Sequence, residues 1–127
     1  MAGVPKFDRA QALHQAAGEF ADRGYQGTSV THLVAATGLL RGSLYGAFDS
    51  KSELFRASFE EALNNASDTG LLIDLLVVAL RERAADDPRV AALANRAIDH
   101  LKASGRPVAA QVYGRLVERA GISPETA

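Results

Sequence analysis

The chain has 127 residues, 47% of them hydrophobic, which suffices for one domain or for two small helical pieces that share a core. It contains no cysteine, so disulfides and thiolate metal sites are excluded, and no apolar run approaches the roughly 20 residues that a membrane span requires. The formal net charge is −1, and residues 1–57 hold six basic and five acidic side chains, so charge alone does not predict nucleic-acid binding.

Helical periodicity dominates the chain, and no strand-like alternation is present, which predicts an all-α fold. The first predicted helix covers residues 8–23, with Phe20 as its main apolar anchor and Gly24 just beyond its end. The second begins at Thr28 or Ser29, because both residue types are good helix N-caps.

Two short predicted helices meet at a glycine turn, Gly38, and the second of them covers residues 41–48. Leu44 and Phe48 are four residues apart and should face inward. The residues left to face outward are Arg41, Ser43, Tyr45 and Gly46. This layout is typical of a helix-turn-helix, in which the second short helix enters the DNA major groove and the first crosses the backbone.

A capping box of Ser50 and Glu53 predicts the start of a fourth helix. Residues 71–80 follow as a buried helix, in which Asp74 is the one charged residue and is either a solvent-facing or capping acid or a polar anchor in a ligand pocket. Further helices are predicted at residues 89–103, after an Asp-Pro start, and at residues 108–120.

Residues 8–63 resemble the DNA-binding domain of TetR-type (tetracycline-repressor-like) transcriptional regulators. The resemblance is carried, in order, by FADRGY at 20–25, GTSV at 27–30, ATGL at 36–39, RGSLY at 41–45, then Phe48, Ser50-Lys51 and Leu54-Phe55. The resemblance implies a helix-turn-helix domain at residues 1–52 and a helical regulatory and dimerisation domain at residues 53–127.

The resemblance also implies which residues contact DNA. The implied contacts are Thr28, Ser29, Thr31, Arg41, Gly42, Ser43, Tyr45 and Lys51. Thr28 and Ser29 would present donors to a phosphate at a helix N-terminus, and Arg41 would pair with guanine or bind phosphate. Tyr45 and Lys51 match phosphate-contacting positions. A lysine at a helix N-terminus interacts slightly unfavourably with the helix dipole. The presence of Lys51 at this position therefore favours a contact with a partner outside the protein.

The chain also departs from the family pattern. Leu40 stands where a small polar residue is usual, and Gly46 and Ala47 replace larger residues, so the reading surface is sparse. Residues 71–121 resemble only the middle helices of the family's C-terminal domain, which indicates a compact variant with a different dimer interface or a truncated chain. The residues predicted to form a dimer surface are Leu101, Val112, Tyr113 and Leu116.

We therefore expect a homodimeric repressor that binds a palindromic operator in double-stranded DNA and is released by a small apolar effector. The alternative is a helical protein-interaction or ligand-sequestering module that has lost its operator. No catalytic constellation, cofactor motif or paired metal-binding histidines occur in the sequence, and no secretion signal is recognisable, so we expect a cytoplasmic protein that is not an enzyme.

Overall fold

Seven α-helices make up the part of the chain that the computed structural model describes, residues 7–65 and 67–123. They are α1 (Arg9–Arg23), α2 (Val30–Thr37), α3 (Arg41–Phe48), α4 (Lys51–Asn64), α5 (Thr69–Val78), α6 (Pro88–Lys102) and α7 (Val108–Arg119). A π-helical turn, Ala79–Arg83, extends α5. No strand occurs in these residues, so the predicted all-α fold is confirmed.

Several of the helices begin at a residue whose side chain accepts a hydrogen bond from a backbone N–H of the first turn. The carboxylate of Asp8 accepts the backbone N–H of Gln11 at the start of α1, and Asp87 accepts that of Arg89 at the start of α6, where Pro88 is the first helical residue. These caps explain why the sequence predicted the helix starts to within one residue.

The predicted capping box of α4 forms only in part. The hydroxyl of Ser50 accepts the backbone N–H of Glu53, as expected, but the Glu53 carboxylate binds Arg56 and Arg89 instead of reaching back. A complete box occurs at α2 instead, where Ser29 and His32 each accept the other's backbone N–H. The sequence did not predict it, since glutamate or glutamine is the usual residue at the His32 position.

An aromatic cluster fixes α1 against α4. The Phe55 ring meets the rings of Phe20 and Tyr25 edge-on, with centroids 5.1 and 5.6 Å apart, and Phe59 extends the cluster along α4. Edge-to-face pairs of this kind add stability beyond that of the buried area. The core continues without a break from these rings into α5 and α6.

Asp74 lies at the centre of an ion-pair network. Its carboxylate is buried, with the residue 6% exposed, and accepts two hydrogen bonds from Arg115, of 2.9 and 2.8 Å, and one of 2.9 Å from Arg119. Arg119 also pairs with Asp22 of α1 at 2.7 Å. The interpretation of Asp74 as a solvent-facing or capping acid was wrong, because the buried carboxylate ties α7 to α5 and, through Arg119, to α1. Its role as a polar anchor in a ligand pocket stays a prediction.

The predicted dimer surface is only partly exposed. Leu101 is 2% exposed and belongs to the core, so its assignment to a subunit interface was wrong. Val112 packs partly against the same core, whereas Tyr113 and Leu116 on α7 are 55% and 47% exposed. The proposed domain boundary, between residues 52 and 53, falls in the first turn of α4.

Candidate nucleic-acid interface

Helix α3 has one buried and one exposed face. Leu44 and Phe48 are buried, as predicted, and anchor the helix. Arg41 is exposed at the first position of the helix, and the side chains of Ser43 and Tyr45 are half-buried. On the face opposite Leu44, the two glycines, Gly42 and Gly46, are exposed. A Cβ atom added at either glycine would meet no other atom within 4 Å, so this face is open.

A glycine in the left-handed conformation makes the turn before α3. Gly38 has φ 72° and donates its backbone N–H to the Val34 carbonyl at 2.9 Å. The hydroxyl of Thr37 donates to the Leu33 carbonyl and accepts the backbone N–H of Leu39, which closes the turn. These local bonds set the angle at which α3 leaves α2.

Leu40 follows the turn as the N-cap of α3. It has no side-chain cap hydrogen bond and is 77% exposed, the largest exposure among the big apolar side chains of the described residues. The apolar side chain of Leu40 is therefore exposed to solvent next to Arg41, at a position where the family pattern has a small polar residue.

The N-terminus of α2 lies on the protein surface. Ser29 is exposed, and because its oxygen already accepts a hydrogen bond from His32, its hydroxyl proton is left to donate outward. Thr31, on the first turn, is exposed as well. Both side chains are therefore available to an anion at this helix end.

Thr28 differs from its neighbour. The residue is fully buried, its hydroxyl donates to the Gly24 carbonyl at 2.7 Å, and its backbone N–H donates to the Tyr25 carbonyl at 3.3 Å. Both donors are thus used within the protein. The expectation that Thr28 presents a hydroxyl to a phosphate is corrected, since the residue holds the α1–α2 loop instead.

Lys51 begins α4 with its ammonium group over an aromatic face. Its Nζ lies 4.5 Å from the centroid of the Tyr25 ring. Partial burial lowers the pKa of Lys51, opposed by the nearby Glu82 carboxylate. Burial raises the pKa of Tyr45, so that its phenol stays protonated and able to donate.

Comparison with known proteins places this geometry in a family. Residues 12–58, which contain most of α1, all of α2 and α3, and about half of α4, match the family model of bacterial regulatory proteins of the tetR family. These residues are a tetR-family domain.

Three curated proteins resemble this chain. An HTH-type transcriptional repressor of Escherichia coli (strain K12), ComR, is 43% identical over 49% of this chain. An uncharacterised HTH-type transcriptional regulator of Bacillus subtilis (strain 168), YezE, is 38% identical over 46% of it. An HTH-type transcriptional repressor of Rhodococcus jostii (strain RHA1), KstR2, is 30% identical over 77% of it.

The aligned parts cover 30% of ComR, 30% of YezE and 53% of KstR2, so the chain spans about half or less of the length of these relatives. No solved structure matches the chain significantly. Among the described residues, no helix has both the length and the apolar character needed to cross a membrane.

The protein also has a cleft of about 270 Å³ between α1, the end of α4 and the start of α5. Its walls include Ala17, Ala62 and Leu71, with Glu61 and His14 at polar positions. The volume lies just below the roughly 300–1,000 Å³ usual for small-molecule sites. This cleft therefore has room for a small ligand only.

Proposed function

We propose that the chain is a DNA-binding transcriptional repressor that acts in the cytoplasm as a homodimer on a palindromic operator. The observation that carries this proposal is the open face of α3, a helix that contacts α2 and α4, whose N-termini carry Ser29 and Lys51. Such an arrangement lets one helix read base edges while the flanking helix ends hold the phosphates. The curated names of ComR and KstR2, both repressors, support the same function.

The proposed DNA contacts are of two kinds, those to base edges and those to phosphates. Arg41 is exposed at the first position of α3, where a guanidinium can pair with the O6 and N7 atoms of guanine, and Ser43 and Gly42 let the helix approach closely. The proposed phosphate contacts are Ser29, Thr31, Tyr45 and Lys51. This set is small, so one subunit supplies little affinity, and two half-sites related by a two-fold axis are needed.

Helix α7 is the proposed dimer surface. Tyr113 and Leu116 are large, exposed and three residues apart, so they lie on the same side of the helix. An isologous contact through this side would bury both side chains in each subunit. Effector binding is assigned to the cleft beside Leu71, because apolar side chains form part of its walls and it adjoins α4, the helix that carries Lys51.

Selection from random duplex DNA with the purified chain tests the proposal. An enriched inverted repeat is expected, and its spacing gives the separation of the two α3 helices in the dimer. If the folded, helical protein enriches no sequence and shows no salt-dependent duplex binding, the repressor proposal is wrong. The alternative of a helical interaction or ligand-sequestering module then applies.

A further inference from the structure

The loop between α1 and α2 is held by a residue more than 50 positions away. The Glu82 carboxylate accepts the backbone N–H of Tyr25 at 3.0 Å with one oxygen and that of Gln26 at 2.9 Å with the other. Hydrogen bonds to a charged acceptor are among the stronger ones in proteins. Gly24 completes the fit, because a Cβ atom there would lie 2.7 Å from a Glu82 oxygen.

The next residue, Arg83, engages the same loop and the start of α4. Its guanidinium lies 4.4 Å from the Tyr25 ring centroid, and Nη2 donates to the Ser52 hydroxyl at 3.1 Å. Its Nε is buried without a hydrogen-bond partner among the described residues, an arrangement that costs stability. Arg83 therefore makes its contacts with Tyr25 and Ser52 although its unpartnered Nε lowers the stability of the fold.

The π-helical turn places the side chains of Glu82 and Arg83 beside the same loop, the one that contains Tyr25. Consecutive side chains of an α-helix diverge by roughly 100°, so two neighbours seldom act on the same target. Here the backbone N–H of Ala84 donates to the Ala79 carbonyl at 2.7 Å, which widens the turn. Glu82 then meets the loop that leads into α2, while Arg83 reaches the first turn of α4.

We propose that Glu82 and Arg83 are positioning residues for DNA binding, which hold the N-termini of α2 and α4 in one fixed arrangement. Neither residue has to touch DNA. Ser29 follows the loop that Glu82 holds, and Lys51 precedes the serine that Arg83 holds, so both proposed phosphate contacts depend on this pair. The inference rests on the proposed repressor function and adds two residues of the C-terminal half to it.

Positioning and plain electrostatics predict opposite results for Glu82→Gln. The Glu82 carboxylate is close enough to Lys51 to act on its pKa, so its negative charge weakens attraction to phosphate. Removing only a charge would therefore tighten duplex binding. If Glu82 positions the loop, the amide of glutamine leaves one backbone N–H without its acceptor, and affinity should fall about tenfold.

The experiment measures affinity for the duplex enriched by selection, with Asp86→Asn as the control. Asp86 is exposed on the following turn, so this variant makes the same charge change without touching the loop. It should bind as the wild type does or slightly more tightly. Arg83→Lys keeps the charge but loses the guanidinium over the Tyr25 ring, so it should also bind more weakly. This variant takes the place of Glu82→Gln if Glu82→Gln does not fold.

Amide hydrogen exchange gives a readout that does not depend on DNA. In Glu82→Gln, the amides of Tyr25 and Gln26 should exchange faster, while amides in the middle of α6 should be unchanged. Faster exchange with unchanged or tighter duplex binding would overturn the positioning role. Failure of the wild type to bind any duplex would overturn the repressor function, and the exchange data would still show whether Glu82 holds the loop.

Discussion

At the scale of single residues, Arg41 carries most of the proposed sequence reading. It is exposed at the start of α3, and the next residues along the open face, Gly42 and Gly46, have no side chains to contribute. Base discrimination then depends on few atoms, so the loss of one guanidinium should be visible in the selected sequence as well as in the affinity.

Arg41→Ala should weaken binding to the enriched operator by about 1–3 kcal/mol and relax the preference at one base pair of each half-site. Competition binding with operators altered at single positions measures both effects. Arg106→Ala is the control, because it removes the same charge from an exposed site between α6 and α7. If Arg41→Ala binds with the same affinity and the same sequence preference as the wild type, Arg41 does not read bases.

Lys51 should make duplex binding sensitive to alkaline pH. Burial lowers its pKa in the free protein, whereas a phosphate favours the charged form and raises the pKa in the complex. Binding thus takes up a proton between these two pKa values, so affinity should fall as the pH rises through the lowered pKa. Burial raises the pKa of Tyr45, which moves ionisation of its phenol further from neutral pH.

Titration of duplex affinity against pH, with salt held constant, tests this effect. Lys51→Arg should bind at neutral pH and lose the pH dependence, since a guanidinium remains charged throughout. An identical pH profile in the wild type and in Lys51→Arg would show that another group is responsible.

At the scale of secondary-structure elements, α3 is a short helix with low intrinsic stability. It has eight residues, no side-chain N-cap and two glycines, so its conformation depends on the burial of Leu44 and Phe48. Gly46 lies within α3, is helical and is surrounded by open space, whereas Gly38, in the turn before α3, has a positive φ.

Alanine should therefore have opposite effects at the two positions. Gly46→Ala should raise the free energy of unfolding by up to about 1 kcal/mol, because alanine favours the helix. Gly38→Ala should lower it by about 1–2 kcal/mol, because a Cβ atom is strained in the left-handed region. Urea unfolding followed by helical circular dichroism measures both, and shifts of the same sign would contradict this account.

At the scale of the whole molecule, the Asp74 network fastens α7 to the rest of the fold. The carboxylate is buried, and Arg115 and Arg119 are each partly buried around it. The hydrogen bonds that Arg115 donates to Asp74 raise the pKa of Arg115, and the one that Arg119 donates to Asp22 raises the pKa of Arg119, which reflects the favourable charge pairing. Removing the central charge leaves two arginines without their shared acceptor.

Asp74→Asn should lower the free energy of unfolding by about 3 kcal/mol, the low end of the range for broken buried pairs, since both arginines keep some contact with water. Asp99→Asn, at an exposed carboxylate of α6, is the matched control and should have little effect. Equal urea midpoints for the two variants would show that the network contributes nothing net.

The proposed dimer is tested on the face of α7. Leu116→Asp should convert a dimer into a monomer in light scattering at micromolar concentration and weaken operator binding, because a charge would be buried in the interface. Ala92→Asp, on the exposed side of α6, should leave the mass unchanged. A monomeric wild type would refute this surface.

The sequence by itself determined the helices and the helix-turn-helix. Phe20, Gly38 and Phe48 act through local spacing and local backbone preference, and so do the caps at Asp8 and Asp87, so reading along the chain located them. The resemblance carried by residues 20–55 then pointed to the TetR type, which the family match at residues 12–58 confirms.

Only the tertiary structure decided the partners of the polar groups. Asp74 and Arg115 are 41 residues apart, and Glu82 and Tyr25 are 57 apart, so no periodicity relates them. The same holds for Thr28, whose hydroxyl turns inward, and for Leu101, whose side chain lies in the core. A helical pattern shows which face is apolar, but what a side chain meets depends on how the helices pack.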